Sequence, residues 1–322
     1  MKLRRVLTWK SWYYNVALPI LRMLGPGACD SSLGAIGRLV GAGPARHREI
    51  ASAVSRARSN LGAGWDERRT ARLIAANLAR YSARDYPLDG LTDQAALSRF
   101  DLRGSDHLER ALASGRGVIV VGGHLGAHLP GLHWLYRRGI PLRSLIQRPW
   151  HISRELSRQL DRDGPNPQSG FFLRRSMTPA ESVDRLVRAR SALLDGMAVY
   201  LNGDVLWPGP NSRRGRFLGV ERSFLGVWAD LASLTGAPVV FLFAAHRPGG
   251  RYELTFDEPR TVEPGSEGAA VTSYLRRLEA EIAANPAGAV PYLLWPCFGP
   301  PAPSIAGAPS RIGRRVAIAL GR

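Results

Sequence analysis

The 322-residue sequence predicts an α/β fold in which a mostly parallel central sheet is flanked by helices and preceded by a helical N-terminal section. After residue 90, short apolar runs alternate with amphipathic helical segments. One run, residues 118–121, is apolar throughout, as in strands that are buried on both faces. Apolar residues make up 45% of the chain and charged residues 22%, so disorder, collagen and coiled coil are excluded for most of it.

Residues 1–90 are expected to form a basic, helical membrane-interface section. Residues 1–60 contain ten Lys or Arg side chains against only Asp30 and Glu49, and helical spacing continues over residues 71–86 before a turn at 87–90. We expect the α/β domain to span residues 91–299. Residues 300–322, rich in Pro, Gly and Ala, are expected to form a basic tail.

Within the α/β domain, strands are predicted at residues 118–121, 141–146, 171–173, 197–201, 238–243 and 252–256. Asp106 is expected to cap a helix that ends at Gly115. Thr178 and Glu181 form a capping box around Pro179, which predicts a second helix. Two more helices are expected at residues 225–235 and 271–285.

The chain carries 44 basic and 26 acidic residues, a formal net charge of +18. Such an excess favours an anionic partner: nucleic acid, an anionic membrane surface, an acidic protein or a phosphorylated substrate. Only Lys2 and Lys10 are lysines, which leaves 42 arginines, a skew that is also typical of a GC-rich genome. We expect no nucleic-acid partner, because the sequence shows no recognised binding module. Cys29 and Cys297 are too few for a disulfide framework.

The first 24 residues combine aromatic side chains with basic ones: Trp9, Trp12, Tyr13 and Tyr14 beside Arg4, Arg5 and Lys10. This pattern favours a helix that lies in a membrane interface; the alternative is an ordinary amphipathic core helix. Arg22 interrupts the apolar run, and the Gly-Pro-Gly sequence that follows is not a convincing cleavage site. No run of 18 apolar residues is present, so a transmembrane helix is not expected.

His124 is the first candidate for chemistry, because it follows Gly122 and Gly123 at the end of a buried strand. Ligands of open α/β sheets bind at the carboxyl ends of strands, and glycines there allow a substrate close to the backbone. Histidine titrates near neutral pH and is suited to take a proton from a hydroxyl group. The alternative is a histidine that only packs or bonds structurally.

His124 and His128 also have the i, i+4 spacing of a zinc-binding helix. However, Leu125 occupies the position of the glutamate in that motif, and Pro130 limits regular helix. We therefore expect no metal, and expect His128 and His133 to be packing or rim residues.

Several segments, in order, resemble the bacterial lipid A biosynthesis (lauroyl/myristoyl) acyltransferases, within the wider lysophospholipid and glycerophosphate acyltransferase superfamily. The strand–Gly–His stretch at residues 117–130 is similar to the first motif of that family. The others are Gly-Phe-Phe-Leu-Arg-Arg at 170–175, the stretch at 194–204 that ends in Asn-Gly-Asp, residues 217–219 and 235–243, and the closing helix and Tyr-Leu-Leu-Trp at 278–295.

The resemblance implies a glycerophosphate acyltransferase-like fold and acyl transfer from an acyl-carrier-protein or acyl-coenzyme A thioester to a lipid hydroxyl. It implies that His124 is the general base and that Asp204 shapes the acceptor site. It implies that Arg174 or Arg175 binds substrate phosphate, which a guanidinium grips well. Neither a metal nor a redox cofactor is implied.

The chain departs from the family pattern at one position that matters. The pattern places Asp or Glu five residues after the histidine, and Leu129 stands there. Three hypotheses follow: a carboxylate from elsewhere, such as Asp204, replaces it; a backbone carbonyl serves His124; or the protein has lost activity. The basic residue usual after the terminal Trp295 is also replaced, by Pro-Cys.

Basic clusters are candidates for the substrate or carrier site. We assign substrate binding to Gly123, Arg148, Arg174, Arg175, Arg213, Arg214 and Arg216, the last three in a Pro/Gly-rich loop of the kind that covers sites. For any single cluster, including Arg137, Arg138 and Arg143 near Arg148, solvated surface is an equally good interpretation.

The sequence thus predicts an acyltransferase bound to the cytoplasmic face of the cell membrane, acting on a phospholipid or glycolipid hydroxyl with His124 as base. The alternatives are a catalytically silent lipid- or carrier-binding relative, and a basic protein that binds polyanions and uses His124 structurally.

Overall fold

A computed structural model of the chain describes residues 9–161, 167–174, 177–209 and 211–298. Arg175 and the tail at 300–322 therefore lie outside the described residues, as do Arg4, Arg5 and Lys2. The fold is mixed α/β with a mostly parallel six-stranded sheet, as the sequence predicts.

The strands are β1 Phe100–Arg103, β2 Val118–Gly122, β3 Leu142–Ser144, β4 Ala198–Asn202, β5 Ser212–Phe217, β6 Val220–Leu225, β7 Val239–Arg247 and β8 Arg251–Phe256. The sheet has the order β1-β8-β7-β2-β4-β3. Strands β2, β3, β4 and β7 are parallel, whereas β8 runs antiparallel to β7 and β1 runs parallel to β8. A separate two-stranded antiparallel ribbon is formed by β5 and β6.

Helices surround this sheet and form the N-terminal section. They are α1 Trp9–Trp12, α2 Leu18–Met23, α3 Pro26–Gly41, α4 Pro44–Leu61, α5 Glu67–Ala83, α6 Asp93–Leu97, α7 Ser105–Ala113, α8 His128–Arg137, α9 Arg154–Leu160, α10 Pro179–Leu194, α11 Val227–Thr235, α12 Glu267–Ala284 and α13 Val290–Leu294. A π-helical stretch, Tyr13–Ala17, joins α1 to α2.

Two hydrophobic clusters divide the core according to the two faces of the sheet. Side chains alternate along a strand, so Ile119 and Val121 of β2 face one cluster and Val118 and Val120 face the other. Helices α7, α8 and α9 cover the second face. The first face is covered by α10–α13 together with α4 and α5 of the N-terminal section. The N-terminal section therefore shares the core of the α/β domain.

Helix α3 packs against α5 with little space between the two backbones. A Cβ on Gly37 would lie 2.5 Å from the Ala75 carbonyl oxygen, so only glycine fits there. The buried carboxylate of Asp30 on α3 accepts two hydrogen bonds from the guanidinium of Arg80 on α5, at 2.6 and 2.9 Å. Close contact and a paired charge together fix α3 on α5.

Helices α1 and α2 lie on α5 with one side and leave the other open. The Tyr14 hydroxyl donates to the Ser82 carbonyl at 2.9 Å, and Leu18 is buried beside it. The open side carries four apolar side chains that are between 42% and 83% exposed, and we call them the N-terminal apolar face: Trp12, Val16, Ile20 and Met23. No helix within the described ranges is long and apolar enough to cross a membrane.

Three local predictions are wrong. Arg213, Arg214 and Arg216 do not lie in a covering loop, because they belong to strand β5 of the antiparallel ribbon. No strand forms at residues 171–173; Gln168–Phe171 is a 3-10 helix and only Leu173 makes an isolated bridge. The buried Gln168 amide instead binds both the N–H and the C=O of Ser144, so a side chain completes the edge of β3. Asp106 does not cap α7, which starts one residue earlier after Gly104 in a left-handed conformation.

Candidate active site

The pairing of β2 with β4 brings two sequence motifs together. The strands are parallel, and Gly122 lies opposite Asn202 where both end. The Gly203 N–H donates to the Gly122 carbonyl at 2.9 Å, which carries the pairing one residue further. His124 and Asp204 each follow the strand end by two residues, so they emerge side by side at the carboxyl edge of the sheet.

The Asp204 carboxylate contacts both the backbone N–H and the imidazole ring of His124. One carboxylate oxygen, Oδ2, accepts a hydrogen bond from the His124 backbone N–H at 2.8 Å. The ring nitrogen Nδ1 lies 3.0 Å from both carboxylate oxygens. Asp204 is fully buried, while the His124 side chain remains 26% exposed. A donor at Nδ1 leaves Nε2 as the basic nitrogen, and this is the tautomer that a general base needs.

The charges of this pair support each other. Burial disfavours the charged form of His124, but the adjacent Asp204 carboxylate outweighs burial and raises the pKa of His124 above its ordinary value. Burial likewise disfavours the Asp204 carboxylate, yet His124 and the hydrogen bonds to it keep the pKa of Asp204 below its ordinary value. Asp204 therefore stays ionised while the imidazole titrates.

Two tyrosines buttress this pair from the C-terminal part of the chain. The Tyr292 hydroxyl donates to Asp204 Oδ2 at 2.6 Å, and the Tyr274 hydroxyl donates to the Gly122 carbonyl at 2.7 Å. A Cβ on Gly123 would lie 2.5 Å from the Tyr274 hydroxyl oxygen. The space beside Gly123 is thus filled by tyrosine hydroxyls of the protein.

Asn202, the last residue of β4, lies on the other side of the imidazole. Its side-chain Nδ2 is 3.5 Å from His124 Nε2, and its Oδ1 accepts a hydrogen bond from the Tyr200 hydroxyl at 2.9 Å. A Cβ on Gly122 would lie 2.4 Å from that hydroxyl oxygen. The glycine therefore makes room for Tyr200, which holds the Asn202 amide.

Two aromatic rings lie close to the His124 imidazole. Trp295 lies 5.8 Å and His128 lies 5.3 Å from the His124 ring, measured between centroids. Tyr81 contacts both Trp295 and His128. Burial and the nearby His124 hold the pKa of His128 well below its ordinary value, so this second imidazole is neutral.

Leu129 occupies the position of the acid in the family pattern, and it is not part of the His124–Asp204 pair. It is buried in α8 and belongs to the second hydrophobic cluster, whereas Leu125 belongs to the first. His124 precedes α8, so the helical i, i+4 relation to His128 does not form. Within the described ranges, no three His, Cys, Asp or Glu side chains are grouped as a metal site requires.

Two of the predicted arginines are bound to partners of their own. Arg148 pairs with Asp161 at 2.8 Å and lies over the Phe172 ring, and Arg213 pairs with Asp230 at 2.6 Å. Arg174, Arg214 and Arg216 are exposed. No hydrogen bond or ion pair among the described residues joins any of these arginines to His124 or Asp204. Their assignment to substrate binding stays a prediction.

His133 and Arg137 belong to a buried structural network. His133 Nδ1 lies 3.0 Å from the Asp85 carboxylate, and the Arg137 Nε–H donates to His133 Nε2 at 2.7 Å. The same carboxylate binds the backbone N–H of Ser153 at 3.1 Å. This network ties the end of the N-terminal section to α8 and to the start of α9, so His133 is a packing residue, as the sequence predicts.

Sequence reasoning missed a cation near the dyad. Arg84 follows α5 with φ of 56°, unusual for a residue with a Cβ, and its guanidinium binds the Trp150 carbonyl. Its positive charge partly opposes the rise in the pKa of His124 that Asp204 causes, and it adds to burial and His124 in lowering the pKa of His128. Nothing in the local sequence signals a strained arginine there. Tyr292, by contrast, lies within the closing Tyr-Leu-Leu-Trp segment.

The chain matches a known protein family over part of its length. The family described as "Bacterial lipid A biosynthesis acyltransferase" matches residues 1–147, which include His124 and end before Asp204. A search of curated proteins gives no match. The resemblance of this chain to the bacterial lipid A biosynthesis acyltransferases is therefore confirmed over residues 1–147, the part that holds β2 and the histidine motif.

Proposed function

We propose that this protein transfers a fatty acyl group from an acyl-carrier-protein or acyl-coenzyme A thioester to a hydroxyl of a phospholipid or glycolipid. The family match supports an acyltransferase acting on a lipid A-like acceptor. The observation that carries the proposal is the contact between His124 Nδ1 and Asp204 at 3.0 Å, which leaves Nε2 as the base.

In the proposed mechanism, His124 Nε2 takes the proton of the acceptor hydroxyl as the oxygen attacks the thioester carbonyl. The Asp204 carboxylate, fully buried and bound by Tyr292, orients the ring and stabilises the imidazolium. The C–S bond then breaks, and the imidazolium returns its proton to the thiolate. No metal or redox cofactor takes part in this sequence of steps.

The silent-relative hypothesis rests on the missing acid at Leu129. Asp204 makes the contact with Nδ1 that such an acid would make, from the neighbouring strand instead of from α8. This contact favours the first of the three hypotheses, a carboxylate from elsewhere. In the structural pair of His133 and Asp85, the second ring nitrogen accepts a hydrogen bond from Arg137 at 2.7 Å, whereas His124 Nε2 has only the Asn202 amide at 3.5 Å. This difference argues against a polyanion-binding protein in which His124 is only structural.

We further propose that the protein binds the membrane through the N-terminal apolar face. Trp12, Val16, Ile20 and Met23 project from one side of α1–α2, while the opposite side packs on α5. An exposed apolar stripe with tryptophan is typical of helices that lie in the membrane interface. The net charge of +18 supports an anionic bilayer, and the basic Lys10 lies in the same helix.

The activity test uses purified full-length protein with palmitoyl-coenzyme A or palmitoyl-acyl-carrier-protein and lipid extracts. We expect acyl transfer that His124→Ala abolishes and that His47→Ala, which removes an exposed histidine on α4, leaves unchanged. Absence of transfer by the wild-type protein with both donors, or full transfer by His124→Ala, would contradict the proposal.

The membrane test is flotation with vesicles of phosphatidylglycerol or phosphatidylcholine. Ile20→Glu together with Met23→Glu is expected to release the protein from phosphatidylglycerol vesicles. Leu234→Glu, which alters an equally exposed leucine on α11, serves as the matched control and keeps binding. Equal flotation of the double variant and the control would exclude the N-terminal apolar face as the anchor.

A further inference from the structure

The strand-end amide of Asn202 has no part in the mechanism above, yet it faces the catalytic nitrogen. Resting on the proposed function, we propose that Asn202 binds the oxygen of the acceptor hydroxyl and thereby makes the site selective for alcohols over amines. The side chain sits in register with Gly122 at the end of β4, and its Nδ2 lies 3.5 Å from His124 Nε2.

The orientation of this amide follows from its neighbours. His124 donates from Nδ1 to Asp204, so Nε2 carries a lone pair and requires a donor opposite it. The Tyr200 hydroxyl donates to Asn202 Oδ1 at 2.9 Å, which turns Nδ2 towards the imidazole. Tyr200 is buried, and burial raises the pKa of its hydroxyl, so it stays protonated as a donor. The amide is thus held in place before any substrate arrives.

A hydroxyl oxygen can lie beside these two nitrogens and within hydrogen-bond distance of both. At 3.5 Å, Nδ2 and Nε2 are too far apart for a strong bond to each other, but one oxygen can lie within about 3 Å of both. Such an oxygen donates its proton to Nε2 and accepts a hydrogen bond from the Asn202 amide. The hydrogen bond from the Asn202 side chain strengthens as negative charge develops on the oxygen during attack.

The selectivity for alcohols over amines follows from the number of lone pairs on the attacking atom. A hydroxyl oxygen has two: one forms the new bond to the acyl carbon, and the other accepts the hydrogen bond from Asn202. The hydroxyl proton passes to Nε2, the C–S bond breaks, and the proton leaves with the thiolate. An amine nitrogen has one lone pair, so a hydrogen bond from Asn202 would block the attack itself. The amide at position 202 therefore favours ester over amide products.

The test uses small acceptors, because their use does not require the lipid acceptor to be known. The wild-type protein and its variants receive palmitoyl-coenzyme A or palmitoyl-acyl-carrier-protein with 2,2,2-trifluoroethanol or 2,2,2-trifluoroethylamine, an amine that is uncharged near neutral pH. Mass spectrometry gives the ratio of ester to amide product. We expect Asn202→Leu to lower this ratio about 10- to 100-fold, the effect of one hydrogen bond to a charged oxygen.

Tyr200→Phe keeps the ring but releases the amide, and we expect it to lower the ratio by a smaller factor. Tyr136→Phe is the matched control, since it removes the hydroxyl of a partly buried tyrosine, one that binds Ser144, and should leave the ratio unchanged. An unchanged ratio in Asn202→Leu and Tyr200→Phe, with His124-dependent cleavage intact, overturns the role of Asn202 and leaves the proposed function standing. Absence of His124-dependent thioester cleavage in the wild-type protein overturns both.

Discussion

Replacing Asp204 with asparagine tests the dyad, because the two side chains have the same shape. The His124 backbone N–H and the Tyr292 hydroxyl both donate to Oδ2, at 2.8 and 2.6 Å. An amide oxygen at the Oδ2 position keeps both bonds, so we expect the variant to fold. The amide nitrogen then stands at Oδ1, 3.0 Å from Nδ1, where it donates and makes Nδ1 an acceptor. The proton moves to Nε2, and the base is lost.

The size of the loss follows from this change of tautomer. Reversal of the corresponding bond in serine proteases lowers kcat about 10⁴-fold. Here Asn202 can still contact the ring, so we expect a fall in kcat of about 10³- to 10⁴-fold, or about 4–5.5 kcal/mol in the barrier. The KM for the thioester should change little, since Asp204 is buried and does not reach the surface of the site.

The pH profile gives a second, independent measurement. His124 acts as a base only when neutral, and Asp204 raises its pKa, so kcat/KM of the wild-type protein should fall as the pH drops through a value above the ordinary histidine value of about 6.5. In Asp204→Asn the carboxylate is gone, while burial and the charge of Arg84 still lower the pKa. The acidic limb should therefore move to lower pH.

Steady-state thioester cleavage between pH 5 and 9 measures both effects, with circular dichroism as the check on folding. Asp195→Asn, which alters an exposed aspartate after α10, is the matched control and should follow the wild-type profile. A folded Asp204→Asn variant that keeps kcat within tenfold of wild type, with its acidic limb unmoved, would refute the assignment of Asp204 to His124.

Three further substitutions test the fold around the site by thermal and urea unfolding. Leu129→Asp should not raise the activity above that of the wild type and should destabilise the protein by about 3–5 kcal/mol, because its carboxylate would be buried among apolar side chains; a gain in rate would contradict the position assigned to residue 129. Asp30→Ala should cost about 3 kcal/mol by leaving the Arg80 guanidinium without its partner; an unchanged midpoint would show that this pair does not hold α3. Gly37→Ala should cost about 1–3 kcal/mol, since a methyl group meets the Ala75 carbonyl at 2.5 Å, and an equally stable variant would mean that α3 can move away from α5.

Local sequence patterns predict much of this fold because burial along a strand and capping of a helix depend on residues that are close in the sequence. The apolar run of β2 is buried along its whole length, and the capping box at Thr178 and Glu181 forms at the start of α10. The failures are also local in origin. The apolar residues 171–173 have the composition of a strand, but the Gln168 side chain already satisfies the backbone of Ser144 at the edge where such a strand would pair.

The candidate site was predictable only in parts. His124 and Asp204 each follow a buried strand within two residues, which is visible in the sequence, and the carboxyl end of a parallel strand is where ligands bind. Which strands are neighbours is not visible, since β3 lies between β2 and β4 in the chain but at the edge of the sheet. Tyr292 is 88 residues away from Asp204 in the sequence. The position of Arg84 depends on a strained backbone conformation that its residue type does not predict.

The source of the acid also determines how firmly the dyad is held. An acid at position 129 would depend on the rotation of α8, and in this chain that rotation turns residue 129 towards the second hydrophobic cluster. Asp204 depends instead on the register of β2 and β4, where Gly122 lies opposite Asn202 and the paired residues are buried almost throughout. A shift of one residue in that register would turn the side chains of one strand to the opposite face. The geometry of the dyad is therefore tied to the pairing of two central strands, so the loss of the acid from the histidine motif need not loosen the catalytic histidine.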